Sequence, residues 1–206
     1  MVPVVTLPDP ALAVPLAGAL VDAGLPCVEI AFRAPGAAEA IAAIRRAYPD
    51  MLVGAGTVLT TEQADAALDA GASFIVAPGT NPRVVEHVLG RNGVMLPGVA
   101  TPSEIEANLE RGLRLMKFFP AEAFGGVGFL TSVYGPFRDV RFVPSGGVSA
   151  SNLRAYLALP NVCAVGGTWI APKAALDTHD LASVRRAASE ALAVVTEIRS
   201  VQVVAT

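Results

Sequence analysis

The sequence predicts an α/β protein, a single (β/α)8 TIM barrel over residues 1–206, and three observations carry that expectation. Short β-branched or apolar runs alternate with Ala-rich helical stretches from one end of the chain to the other, the pattern of a parallel sheet covered by helices. Eight such units in 206 residues gives about 26 residues each, near the lower limit for a barrel of this kind. A composition of 53% hydrophobic and 16% charged residues supplies one sizeable core and excludes a disordered chain, which needs the opposite imbalance. A doubly wound open sheet is the competing architecture, but it normally has fewer strands, and the GAG at 54–56 lacks the third spaced glycine of a dinucleotide fingerprint.

The units follow in order. A strand at 3–7 (PVVTL) leads to a helix that Asp9 opens and Gly24 closes. The second strand is 27–33 (CVEIAFR) and the third 52–58 (LVGAGTV), followed by a helix starting at Thr60 or Thr61 and ending at Gly71. The fourth is 74–79 (FIVAPG) and the fifth 94–100 (VMLPGVA), after which Thr101-Pro102 opens a helix that runs to Gly112. The sixth is 114–120 (RLMKFFP), the seventh 141–147 (RFVPSGG) and the eighth 162–168 (VCAVGGT). The charge-free stretch 155–172 approaches spanning length, but Pro160-Asn161 and Gly166-Gly167 interrupt it, so it reads as helix end, loop and strand.

Several function classes drop out. Net charge is −3 and the 15 basic residues are scattered, which leaves no electrostatic footprint for nucleic acid and points to small-molecule partners. Cys27 and Cys163 lie in apolar runs and are expected to be reduced, buried thiols rather than a disulfide. No CxxC, HxxxH or HExxH is present, and His87 and His179 read as surface or helix-end residues, so no metal or other cofactor is expected. The first ten residues lack the n- and h-regions of a signal peptide, which predicts a cytoplasmic protein.

Charges inside strands that should be apolar mark the candidate site. Along 27–33 the two-residue period sets Val28, Ile30 and Phe32 toward helices and Glu29 and Arg33 toward the interior. At ~3.3 Å per residue the two lie ~13 Å apart along the strand, Arg33 near the C-terminal mouth, where it suits anion capture, and Glu29 deeper. A plain interior ion-pair network is the competing reading. Lys117 stands between Met116 and Phe118 in one of the most apolar strands, and only it and Lys173 among the 15 basic residues are lysines. Burying an ammonium favours the free amine, which can attack a carbonyl, and an arginine cannot do this. Lys117 is therefore the candidate Schiff-base nucleophile; the alternative is a lysine that snorkels to the mouth and pairs with Glu29 or Glu122. The last two strands end in Ser145-Gly146-Gly147 and Gly166-Gly167-Thr168, glycine pairs whose backbone can approach the oxygens of a phosphate.

With VEIAFR, VGAGTVLT, PGVATPSE, KFFPAE, PSGGV and GGTW in this order, the chain resembles over nearly its whole length the 2-keto-3-deoxy-6-phosphogluconate (KDPG) aldolases, a family that overlaps with the 4-hydroxy-2-oxoglutarate aldolases. The resemblance implies cleavage of KDPG to pyruvate and glyceraldehyde 3-phosphate by a homotrimeric enzyme. It implies that Lys117 forms the imine, that Glu29 moves protons, and that Arg33 and Thr57 hold the pyruvyl carboxylate. Ser145, Gly146, Gly147, Gly167 and Thr168 would hold the phosphate, and Pro78 and Phe119 would line the pocket. Ser145 and Thr168 stand where the family pattern has Thr and Ser, and Ala31 replaces a common Thr. Glu122 leans toward the gluconate substrate over its galactonate epimer or 4-hydroxy-2-oxoglutarate. A sugar-phosphate isomerase working through carboxylates or a Cys, and a phosphosugar-binding barrel without catalysis, are the other classes compatible with such a chain.

Overall fold

The computed structural model describes residues 1–204. In chain order the elements are β1 (Val2–Val5), α1 (Ala13–Asp22), β2 (Cys27–Ala31), α2 (Ala37–Ala47), β3 (Leu52–Gly56), α3 (Thr61–Asp69), β4 (Phe74–Val76), α4 (Pro82–Gly90), β5 (Met95–Leu96), β6 (Gly98–Val99) and α5 (Pro102–Leu109). They continue with β7 (Leu115–Phe118), α6 (Gly126–Tyr134), β8 (Arg141–Pro144), α7 (Leu153–Leu157), β9 (Gly166–Gly167), α8 (Lys173–Asp177) and α9 (Leu181–Val204).

The helix starts follow the predicted capping chemistry. Thr60 accepts the Gln63 N–H at 3.2 Å ahead of α3. Thr101 and Glu104 form a reciprocal capping box at α5. Asp9 accepts the Ala11 N–H at 2.9 Å, but the turn it caps is a 3₁₀ turn, Pro10–Leu12, and α1 begins only at Ala13. Glycines at the expected helix ends, such as Gly24 with φ 79°, take the left-handed conformation.

The closed eight-stranded TIM barrel is not what forms. All sheet pairings are parallel, as the alternation predicts, but they divide into a six-stranded sheet in the order β5-β4-β3-β2-β1-β9 and a three-stranded sheet β6-β7-β8. Two local causes are visible. The fifth predicted strand splits at Pro97, which has no N–H to give to a ladder; its carbonyl still accepts the Lys117 N–H at 2.9 Å. The eighth shrinks to Gly166–Gly167, residues with no side chain to pack in a strand, and Val162 reaches β8 only through an isolated bridge to Phe142.

Residues that alternate toward the helices, including Val5, Val28, Ile30, Val53, Ile75, Met116 and Phe142, form the main core with the inward faces of α1 to α9. Helix α9 contributes Val184, Ala188 and Ala191, a buried stripe at helical spacing. Opposite residues of the two sheets meet as well: Val76 of β4, Leu96 of β5 and Val143 of β8 make a separate apolar cluster. The sheets therefore face each other across an interior into which the polar residues of β2 and β7 project.

Candidate active site

The two charged residues singled out on strands are brought together from different sheets. Glu29 of β2 pairs in register with Val4 and Gly54, and Lys117 of β7 with Gly98 and Val143. Lys117 Nζ lies 3.2 Å from Glu29 Oε1, and each residue is only 3% exposed. Lys117 thus does not snorkel to the mouth; of its two candidate partners it meets Glu29, while Glu122 accepts a hydrogen bond from the Tyr156 hydroxyl. The Phe119 ring covers Nζ at 5.3 Å from its centroid. Space for the Glu29 side chain exists because β3 ends in Gly56: a Cβ there would lie 2.1 Å from Glu29 Oε1.

A cavity of about 430 Å³ adjoins this pair through Phe119, which lies over Lys117, and Val4, which pairs with Glu29. Its lining holds Arg33, Thr57, Pro78, Phe119, Ser145, Gly146, Gly147, Gly167 and Thr168, all anticipated as site residues, together with Val4 and Val148, which were not. Lys117 and Glu29 are not among the lining residues; Phe119, which is, lies over Lys117 Nζ. Arg33 lies just beyond the end of β2 and not within it; its Nε donates to Thr57 Oγ1 at 2.9 Å. Thr57 has φ 57°, an unfavourable conformation for a β-branched residue, which aims its hydroxyl at the guanidinium. In the same lining, Gly146 and Gly147 have φ of 90° and 83°, a conformation other residues rarely adopt, and the adjoining Ser145 is buried. The lining thus combines the Arg33–Thr57 pair with glycine backbone and further hydroxyls.

Val4 could have been found from the alternation of β1, where it pairs in register with Glu29, and Val148 from its place directly after Gly147; the role of Gly56 arises from a contact between strands and leaves no local signal. Cys27 is half-buried, and burial pushes its thiol up to about 11. Cys163, expected to be buried, is exposed, because it points away from the core that Val162 and Val165 enter. His87, at the last turn of α4, contacts Asp65 at 2.8 Å, a surface role as expected. Among the described residues no group of three or more His, Cys, Asp or Glu could hold a metal ion, and no helix is long and apolar enough to cross a membrane.

Known proteins resemble the chain over most of its length. The sequence model of the family described as "Aldolase: KDPG and KHG aldolase" matches residues 1–187. The 2-dehydro-3-deoxy-phosphogluconate aldolase of Treponema pallidum is 48% identical over 195 residues, 95% of this chain and 93% of the relative. The KHG/KDPG aldolase of Escherichia coli K12 is 41% identical over 192 residues, 93% of this chain and 90% of the relative. Among solved structures, the KDPG aldolase of Legionella pneumophila, with pyruvate captured at low pH as a covalent carbinolamine intermediate, superposes with a TM-score of 0.89 at 37% identity, covering 91% of each chain. On the family match and these identities, the chain belongs to the KDPG and KHG aldolase family.

Proposed function

We propose that this chain is a class I aldolase, a carbon–carbon lyase that reversibly cleaves 2-keto-3-deoxy-6-phosphogluconate to pyruvate and D-glyceraldehyde 3-phosphate. The observation that carries the reading is the buried Lys117–Glu29 pair, 3.2 Å apart, next to a cavity whose lining includes Arg33, Thr57 and the Gly146–Gly147 loop. Family membership and the names of the relatives support it.

The residues serve the reaction in sequence. The Lys117 amine adds to the C2 carbonyl, and Glu29, within hydrogen-bond reach of Nζ, passes protons as the carbinolamine loses water and becomes a protonated imine. Arg33, oriented by Thr57, holds the C1 carboxylate and so fixes C2 against Nζ. Glu29 takes the C4 hydroxyl proton as the C3–C4 bond breaks; the electron pair moves into the imine as an enamine, and the aldehyde leaves. Glu29 then delivers a proton to C3, and water returns to C2 to release pyruvate. Ser145, Gly146, Gly147, Gly167 and Thr168 hold the phosphate of the aldehyde half, and Pro78 and Phe119 wall the pocket.

Side-by-side cleavage assays on KDPG, its galactonate epimer and 4-hydroxy-2-oxoglutarate test the reading. The highest kcat/KM is expected on KDPG, and no cleavage of any of the three would refute aldolase activity. We further propose that the chain works in the cytoplasm as a homotrimer, the assembly the resemblance implies. Light scattering at micromolar concentration tests this, and a monomer mass contradicts it.

A further inference from the structure

The strand bearing Lys117 and the Ser145–Gly147 loop are tied together at Glu122, a residue with no part in the chemistry above. Beyond β7 the chain runs beside that loop: the Ala121 N–H donates to the Ser145 carbonyl at 2.8 Å, and the Glu122 N–H to the Gly146 carbonyl at 3.1 Å. A Cβ at Gly147 would lie 2.5 Å from Glu122 Cγ and 2.6 Å from its Cβ, so the apolar stem of Glu122, not its carboxylate, presses on the loop. The carboxylate turns instead to Tyr156, whose hydroxyl donates to Oε1. Tyr156 is fully buried on α7, and burial together with the neighbouring carboxylate raises its phenol above the ordinary value, so it stays a donor. Gly126 closes over this bond, since a Cβ there would sit 3.0 Å from both Glu122 Oε1 and the Tyr156 hydroxyl. On the other side of the loop Asn152, immediately before α7, donates from Nδ2 to the Gly147 carbonyl at 3.2 Å and accepts the Ser149 N–H at 2.8 Å. Glu122, Tyr156, α7, Asn152 and Gly147 thus form a closed circuit around the loop.

A carboxylate beside an anion site opposes the anion unless a donor holds it elsewhere. A hydroxyl fixed by the core meets that need, because hydrogen bonds to an ionised acceptor are among the stronger ones. We propose that Tyr156 is a positioning residue for the phosphate end of the substrate: by anchoring the Glu122 carboxylate away from Gly147, it keeps that charge off the phosphate and locks the loop to the Lys117 strand. The inference rests on the phosphate reading of the Ser145–Gly147 loop. It makes Tyr156, acting on the Glu122 carboxylate, a determinant of preference for phosphorylated over unphosphorylated substrates.

The test compares KDPG with 4-hydroxy-2-oxoglutarate, which has no phosphate. Tyr156→Phe is expected to raise KM for KDPG about tenfold, equivalent to about 1.4 kcal/mol, with kcat on KDPG and kcat/KM on 4-hydroxy-2-oxoglutarate near wild type. Adding Glu122→Gln to Tyr156→Phe removes the released charge and is expected to bring the KM for KDPG back toward wild type. Glu122→Gln alone keeps an acceptor for Tyr156 and leaves that KM near wild type. Equal losses on both substrates, no change in either, or a double variant no better than Tyr156→Phe would overturn the inference while leaving the aldolase reading intact. A wild type that cleaves only 4-hydroxy-2-oxoglutarate would remove the phosphate reading and this inference with it.

Discussion

Gly56 is the residue whose replacement reports most directly on the geometry of the buried pair. It ends β3 in register with Ala31, is buried, and faces the Glu29 side chain. A methyl there would lie 2.1 Å from Glu29 Oε1 and 2.7 Å from both its Cδ and Cγ. Carbon in contact needs about 3.5 Å, so the carboxylate of Gly56→Ala has to move by more than about 1 Å. Lys117 Nζ, now 3.2 Å from that oxygen, loses its proton partner. Overpacking of this kind costs about 1–3 kcal/mol, which lowers Tm by roughly 2–12 °C in a chain of this size. A displacement of ~1 Å at a catalytic group lowers kcat about 10²-fold. Thermal melts followed by circular dichroism, with pyruvate release followed by NADH-linked reduction, measure both effects. A Gly56→Ala protein that melts with the wild type and turns over near its rate would refute the placement of Glu29 against Lys117.

Lys117→Arg is expected to abolish cleavage, because a guanidinium forms no imine, and Glu29→Gln to slow it severely while leaving phosphate affinity unchanged; near-normal turnover by either rejects the assigned roles. Lys117→Met leaves a buried carboxylate without its partner and is expected to destabilise the fold by about 3–5 kcal/mol, and adding Glu29→Gln should recover much of this in urea denaturation. For Cys27 the sign follows from a thiol whose folded value is raised to about 11 by burial. Its contribution to stability is complete below the unfolded thiol value and is lost as pH rises through the folded one, since the unfolded chain ionises first. Stability of the wild type should therefore fall more steeply between about pH 9 and 11 than that of Cys27→Ala, and parallel profiles would contradict this. Iodoacetamide at pH 8 should label the exposed Cys163 before Cys27, as read by intact mass.

The site was more legible than the sheet that builds it. Lys117 and Glu29 declared themselves by being charges in apolar strands, and the glycine pairs at 146–147 and 166–167 by falling at corresponding strand ends. Such signals are local, because a buried charge is costly wherever it occurs. Alternation likewise located the parallel strands, but closure into one sheet depends on hydrogen bonds residue by residue. It failed at Pro97, which lacks a donor, and at 162–165, where only one isolated bridge to Phe142 forms. The role of Gly56 under Glu29, and of Tyr156 under Glu122, arises between residues far apart in the chain, where spacing carries no information. Cys163 misled because its apolar neighbours are buried while it faces outward.

Borohydride reduction in the presence of pyruvate tests the central claim most directly, since it asks whether Lys117 forms an imine. Intact mass is expected to rise by about 72 Da, one reduced pyruvyl group, with the adduct mapped to Lys117 and absent in Lys117→Arg. An unmodified wild-type chain, or an adduct on Lys173, would contradict it.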